Sequence, residues 1–178
     1  RTVEPGAVGE IVVSGPVVTD RYDGLPEATR LAKIADGDTV WHRMGDLGYF
    51  DEQGRIWFCG RKSHRVETGT ATLYSVCCEA IFNQHDAVYR SALIGAGPDR
   101  YRQTPVIVIE PEAGHFPESE TEETRFREAV LATARSADHT ASIRHVLFHR
   151  SFPVDIRHNA KIRREVLAAW ASERVNTD

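Results

Sequence analysis

Trp41 to Gly69 reads WHRMGDLGYFDEQGRIWFCGRKSHRVETG, and two strands with a tight turn between them are legible in it. Val40 to Phe50 is rich in β-forming residues. Asp51-Glu52-Gln53-Gly54 then supplies turn chemistry, with Gly free to take a positive φ. Arg55 to Cys59 alternates large apolar residues with others, as a return strand does. The segment is therefore expected to be a β-hairpin with a four-residue loop. Two polar groups mark its far end, Asp46 behind Gly45 and Arg61 behind Gly60, and a Gly at each place lets a ligand or backbone come close. Taken alone, these residues are more readily read as a turn cap and a solvated strand end.

Upstream of the hairpin the chain is also β-rich. Glu10 to Val13 is a short apolar run closed by Ser14-Gly15-Pro16, a strand and a turn. Pro26 to Ala32 places Pro at a first helical position with good helix formers behind it. From Ser63 onward the pattern becomes α+β. Ser75 is expected to cap a helix from Val76 to Gln84. Val88 to Ile94 and Pro105 to Ile109 read as strands, the second a continuous apolar run and so central, with a turn at Gly95 to Asp99. Glu110 to Glu123, acidic with two prolines, reads as a solvated loop. Thr124 to Ala137 carries apolar residues at helical spacing. Ile143 to His149 reads as a strand and Ile162 to Arg174 as an amphipathic helix. Two helices against a mixed three-stranded sheet are the expected architecture of this part.

Composition excludes several classes of function. The 178 residues carry a net charge of −4, which does not suit a general binder of nucleic acid or of acidic membrane surfaces. No run reaches the roughly 18 apolar residues of a membrane span. Cys59, Cys77 and Cys78 lack metal-ligand or redox spacing and read as reduced thiols of a cytoplasmic protein. Of the eight histidines, His145 and His149 share a strand face but stand ~13 Å apart along it. His42, His64, His85 and His158 are isolated, so no metal site is expected. The opening RTVEPGAVGE, with neither an initiating Met nor a signal peptide, reads as a cut end.

Met44-Gly45-Asp46, Gly60-Arg61 and the preceding passage GEIVVSGPVVTDRYDGLPEAT together resemble the adenylate-forming superfamily of acyl-CoA synthetases, luciferases and adenylation domains. In that family a Thr/Ser-Gly-Asp motif supplies an Asp to the ribose hydroxyls of ATP, and the Gly-Arg motif supplies an Arg that also reaches the ribose. The resemblance thus implies ribose-binding roles for Asp46, where Met44 replaces the usual Thr or Ser, and for Arg61. It divides the chain into 1–61, the β-rich end of the large AMP-binding domain, and 62–178, a mobile small C-terminal domain. Family hinges are Asp or Lys; counting back from Gly69 places the hinge at Lys62, and counting forward from Arg61 places it at Ser63. Lys62 is the expected hinge.

Phe152 to Arg164, FPVDIRHNAKIRR, resembles the family's C-terminal lysine loop, and the match makes Lys161 the catalytic lysine of adenylation. Ala160 replaces a usual Gly, and the run from Pro153 is longer than the common form. A physical argument stands beside the resemblance. The chain uses Arg heavily and has only three lysines, Lys33, Lys62 and Lys161, and a compact ammonium on a flexible stem can follow charge as it moves from carboxylate to phosphate. WHRMGD, FCGRKSHRV, CEAIFN, VYRSALIG and FPVDIRHNAKI are most similar to the β-lactone synthetases of bacterial olefin biosynthesis. That resemblance implies ATP and Mg²⁺, a fatty or β-hydroxy fatty acid substrate, and a β-lactone product. The family's phosphate loop and metal-binding carboxylate have no counterpart here, so a large domain upstream of Arg1 is expected. The alternatives are a fatty acyl-CoA or acyl-AMP ligase, or a non-catalytic fragment that docks on other olefin-pathway proteins.

Overall fold

The computed structural model describes residues 3–155 and 158–175, the side chains of 158–160 excepted. Within the Pro153–Lys161 run, Ile156 and Arg157 lie outside the described residues, as do the side chains of His158 and Ala160 and the residue Arg1 that opens the chain. The chain separates into two compact units, Arg1–Ser63 and His64–Asp178.

The first unit is an antiparallel sheet built on one long strand. The strands β1 (Gly9–Val13), β2 (Lys33–Asp36) and β4 (Ile56–Arg61) all pair with β3 (Thr39–Phe50). Helix α1 (Pro26–Ala32) starts on its proline, as its sequence predicts. The β3–β4 turn is held by Asp51, whose Oδ1 accepts from the main-chain nitrogens of Gln53 (3.0 Å) and Arg55 (2.9 Å) and whose Oδ2 accepts from Trp57 Nε1 at 2.8 Å. The indole hydrogen bond is the main reason the Asp51 carboxyl is held below its ordinary value. Gly54 takes φ +75° there. Strand β2 was not anticipated, although Asp36-Gly37 signals it: Gly37 has φ +57°, at a loop position where a two-residue hairpin demands a positive φ. Ile56, Trp57 and Phe58, read as an alternating strand, are all exposed.

The second unit is α+β. Its sheet has the order β7 (Val88–Ala96), β8 (Thr104–Pro111), β9 (His145–Phe148), with β7–β8 antiparallel and β8–β9 parallel. Central β8 is buried on both faces, in keeping with its apolar run. Leu93, Ile107, Ile109 and Val146 meet Cys78 and Phe82 of α2 (Ser75–Phe82) and Val130 and Ala134 of α3 (Glu120–Ala134) on one side. Ala92, Ile94, Val106 and Val108 meet Leu167 and Ala171 of α4 (Arg164–Ser172) on the other. The period-two alternation of a strand sorts neighbours to opposite faces. Three helices, rather than two, therefore cover this sheet. Two short hairpins complete the unit, β5 (Val66–Glu67) with β6 (Thr72–Leu73), and β10 (Val154–Asp155) with β11 (His158–Ile162).

Several boundaries differ from expectation. Ser75 is the first helical residue and is buried; Tyr74 is the N-cap and makes no side-chain cap bond. Strand β7 runs through Gly95 and Ala96, read as turn, because both pair with β8. The acidic stretch is not all loop. Glu110 closes on the sheet, and α3 begins at Glu120 because Ser119 Oγ accepts from Glu122 N at 3.3 Å. Glu120, Glu122 and Glu123 then lie at the positive end of the helix dipole. Helix α4 begins two residues late because Ile162 pairs with Val154. His149 falls beyond the end of β9.

Candidate functional site

Across the β3–β4 hairpin the backbone places Asp46 directly opposite Arg61. The register that does this is irregular. Leu47 pairs with Gly60 but Gly48 with Phe58, so Cys59 is an extra residue, and a bulge of this kind re-aims the strand that carries it. Arg61 Nη1 donates to Asp46 Oδ1 and to the Met44 carbonyl, both at 2.9 Å. Gly45 has φ +69° and Gly60 φ +117°, conformations in which a side chain is strained. At Gly48 an added Cβ meets the Trp57 carbonyl oxygen at 2.7 Å, so only glycine lets the two strands close there. Arg61 is 54% and Asp46 23% exposed. An ion pair this open to water contributes little to stability, and what it does well is present a fixed donor beside a fixed acceptor.

Lys62 opens a 3₁₀ turn, Lys62–His64, directly after β4. Its Nζ donates to Glu10 Oε2 at 2.8 Å, and Arg43 donates to the same oxygen through Nε at 3.1 Å. No sequence reasoning singled out Glu10, which lies far from Lys62 in the chain and is brought to it by the pairing of β1 with β3. Burial by itself raises the Glu10 carboxyl, but the hydrogen bonds and charges of Arg43 and Lys62 outweigh it and hold the group below its ordinary value of 4.5. The folded value lies below the unfolded one, so the stabilisation is fully present above about pH 4.5 and is lost as pH falls through the depressed folded value. Urea unfolding between pH 7 and pH 3 should accordingly show a steeper acid loss for the wild type than for Glu10→Gln. Parallel curves would mean that this cluster adds nothing.

Lys161 lies on β11 and is exposed. The segment read as a loop is thus a short hairpin, closed at its base where Arg163 N donates to the Pro153 carbonyl at 2.8 Å. Arg163 itself turns to Glu165, with Nε to Oε1 at 3.2 Å, both exposed. Asp46, Arg61 and Lys62 belong to the first unit and Lys161 to the second.

Cys78 is fully buried on α2, and burial pushes its thiol up to about 12, so it is no nucleophile at neutral pH. Among the described residues, no group of three or more His, Cys, Asp or Glu is placed to hold a metal ion. No described helix is long and apolar enough to cross a membrane.

Solved structures of several ligases and synthetases share this fold. The amide bond synthetase of Marinactinospora thermotolerans matches with a TM-score of 0.77 and 26% identity, over 96% of this chain and 32% of its own. The o-succinylbenzoate CoA synthetase of Bacillus subtilis, solved with its acyl-adenylate intermediate, matches at 0.69 and 25% identity, over 93% and 31%. The chain belongs to the adenylate-forming superfamily. Within that superfamily it is 50% identical over 182 aligned residues to the olefin β-lactone synthetase of Xanthomonas campestris pv. campestris, an alignment covering 97% of this chain and 31% of the relative. No protein-family profile matches it. The chain therefore spans about a third of the length of the proteins it resembles.

Proposed function

We propose that this chain is the C-terminal part of an ATP-dependent enzyme that activates a fatty or β-hydroxy fatty acid as its acyl-adenylate and closes it to a β-lactone. The carrying observation is half identity, along nearly the whole chain, with an olefin β-lactone synthetase. In the first step a carboxylate oxygen attacks the α-phosphorus of ATP and pyrophosphate leaves. In the second the β-hydroxyl oxygen attacks the acyl carbon, AMP leaves, and the hydroxyl proton is lost as the four-membered ring closes.

The residues suit their parts. A carboxylate accepts from both hydroxyls of a vicinal diol, which is the task assigned to Asp46, and Arg61 fixes that carboxylate while donating to the ribose. Lys161 is assigned to the α-phosphate and the incoming carboxylate. Lys62 is the proposed joint about which the second unit turns. Mg²⁺ and the β- and γ-phosphates fall mostly to residues outside this chain, and a cytoplasmic setting suits ATP as substrate.

The test is an incubation of the full-length enzyme with a β-hydroxy fatty acid and ATP·Mg²⁺, without CoA. Pyrophosphate, AMP and β-lactone are expected in equal amounts. Product formed only on adding CoA would favour the second reading, an acyl-CoA ligase, which the likeness to the B. subtilis CoA synthetase supports. In the same assay Asp46→Ala should raise KM for ATP roughly ten- to hundredfold, the worth of one or two hydrogen bonds to a charged group. An unchanged KM would remove Asp46 from the nucleotide site.

A further inference from the structure

Both ends of the hairpin that carries Lys161 are tied to buried carboxylates. At the entry, Oε2 of Glu110 on β8 accepts from the main-chain nitrogen of Phe152 at 2.7 Å and from Arg90 Nε of β7 at 2.8 Å. The Phe152 ring is itself buried, with the Arg90 guanidinium 5.2 Å from its centroid. At the exit, Arg164, the first residue of α4, grips Glu79 of α2 twice, Nη1 to Oε1 at 2.6 Å and Nη2 to Oε2 at 2.9 Å. Glu79 Oε1 also accepts from Leu93 N at 2.8 Å, and Arg164 Nη1 donates to the Leu93 carbonyl at 3.2 Å. The exit pair therefore reaches the central sheet through both polar groups of one β7 residue.

Buried ion pairs are a poor way to gain stability, because desolvation consumes most of the attraction. Satisfied, bidentate pairs are a good way to fix geometry. Here they fix two points, Phe152 and Arg164, each two residues outside the paired strands, one at each foot of the segment that bears Lys161. The main-chain bond between Arg163 and Pro153 joins those feet. We infer that Glu79 and Glu110, with Arg164 and Arg90, are positioning residues that set where Lys161 stands. The inference rests on the assignment of Lys161 made above.

Two measurements on the full-length enzyme test it. Glu79→Gln should lower kcat for acyl-adenylate formation about 10–100-fold with KM for ATP unchanged, the scale of an ångström-sized misplacement of a reacting group. Trypsin should also cut after Lys161 about tenfold faster, because cleavage follows the population of locally opened hairpin. Arg164→Lys, which keeps the charge but not the fork, should fall between Glu79→Gln and wild type. In a Lys161→Ala background Glu79→Gln should cost little more, since residues acting through one group are not additive. An unchanged cleavage rate, or a full multiplicative loss in the Lys161→Ala background, overturns the inference. Faster cleavage with unaltered adenylation leaves the anchors standing and overturns the assignment of Lys161 instead. If Glu79→Gln does not fold, Glu110→Gln, measured in the same two ways, decides the matter.

Discussion

Lys161→Ala in the full-length enzyme is expected to slow acyl-adenylate formation by about 10²–10³-fold, or about 2.7–4 kcal/mol, the usual loss for one preorganised donor. Adenylation brings a carboxylate against the α-phosphate, so two anions meet while negative charge builds on the phosphoryl oxygens. Catalysis of such a transfer is chiefly positioning and charge stabilisation. Lys161 is exposed on the hairpin, and the two arginines that follow it are committed elsewhere: Arg163 to Glu165, Arg164 to Glu79. The variant should fold normally, since an exposed strand residue adds little to stability. It should also bind ATP, because Asp46 and Arg61 stand on the other unit. Pyrophosphate release from a β-hydroxy acid and ATP measures the effect, with Arg163→Ala as the control from the same hairpin base. Equal small losses for the two variants would show Lys161 to be an ordinary surface lysine.

Lys62→Pro is expected to reduce whichever step requires the second unit to turn by about 10²-fold, the cost of delivering a catalytic group out of place. Proline fixes φ at its own residue and confines the one before it to extended conformations. The fold should accept both demands: Arg61 is already extended as the last residue of β4, and Lys62 opens a 3₁₀ turn, where a missing N–H is tolerated. Lys62→Ala separates the proposed hinge from the contact with Glu10. It removes the contact with Glu10 but leaves φ free, so only a small effect on turnover should follow. Wild-type rates for every partial reaction of Lys62→Pro would show that the joint lies at Ser63 or that no rotation is needed; Ser63→Pro then distinguishes those two.

What could be read from one sequence here was whatever local chemistry dictates. Turn residues Asp51 to Gly54 and the β-formers on either side specify the hairpin, Pro26 starts α1, and the apolar run around Ile107 marks a strand covered on both faces. Asp46, Arg61, Lys62 and Lys161 were each marked by an adjacent glycine, a motif or the scarcity of lysine. Boundaries failed where a nonlocal partner overruled local preference: Ile162 is drawn into a hairpin by Val154, and Gly95 and Ala96 are kept extended by Pro105 and Thr104. The bulge at Cys59 that sets Asp46 against Arg61, the seat of Lys62 on Glu10, and the burial of Glu79 and Glu110 beneath the Lys161 hairpin had no local signature at all. A charged residue reads as solvated in a sequence, because water is its default partner. Only the folded backbone, by bringing an arginine from another strand or helix to each of these carboxylates, makes burial affordable and turns four ordinary glutamates and arginines into the frame of a site.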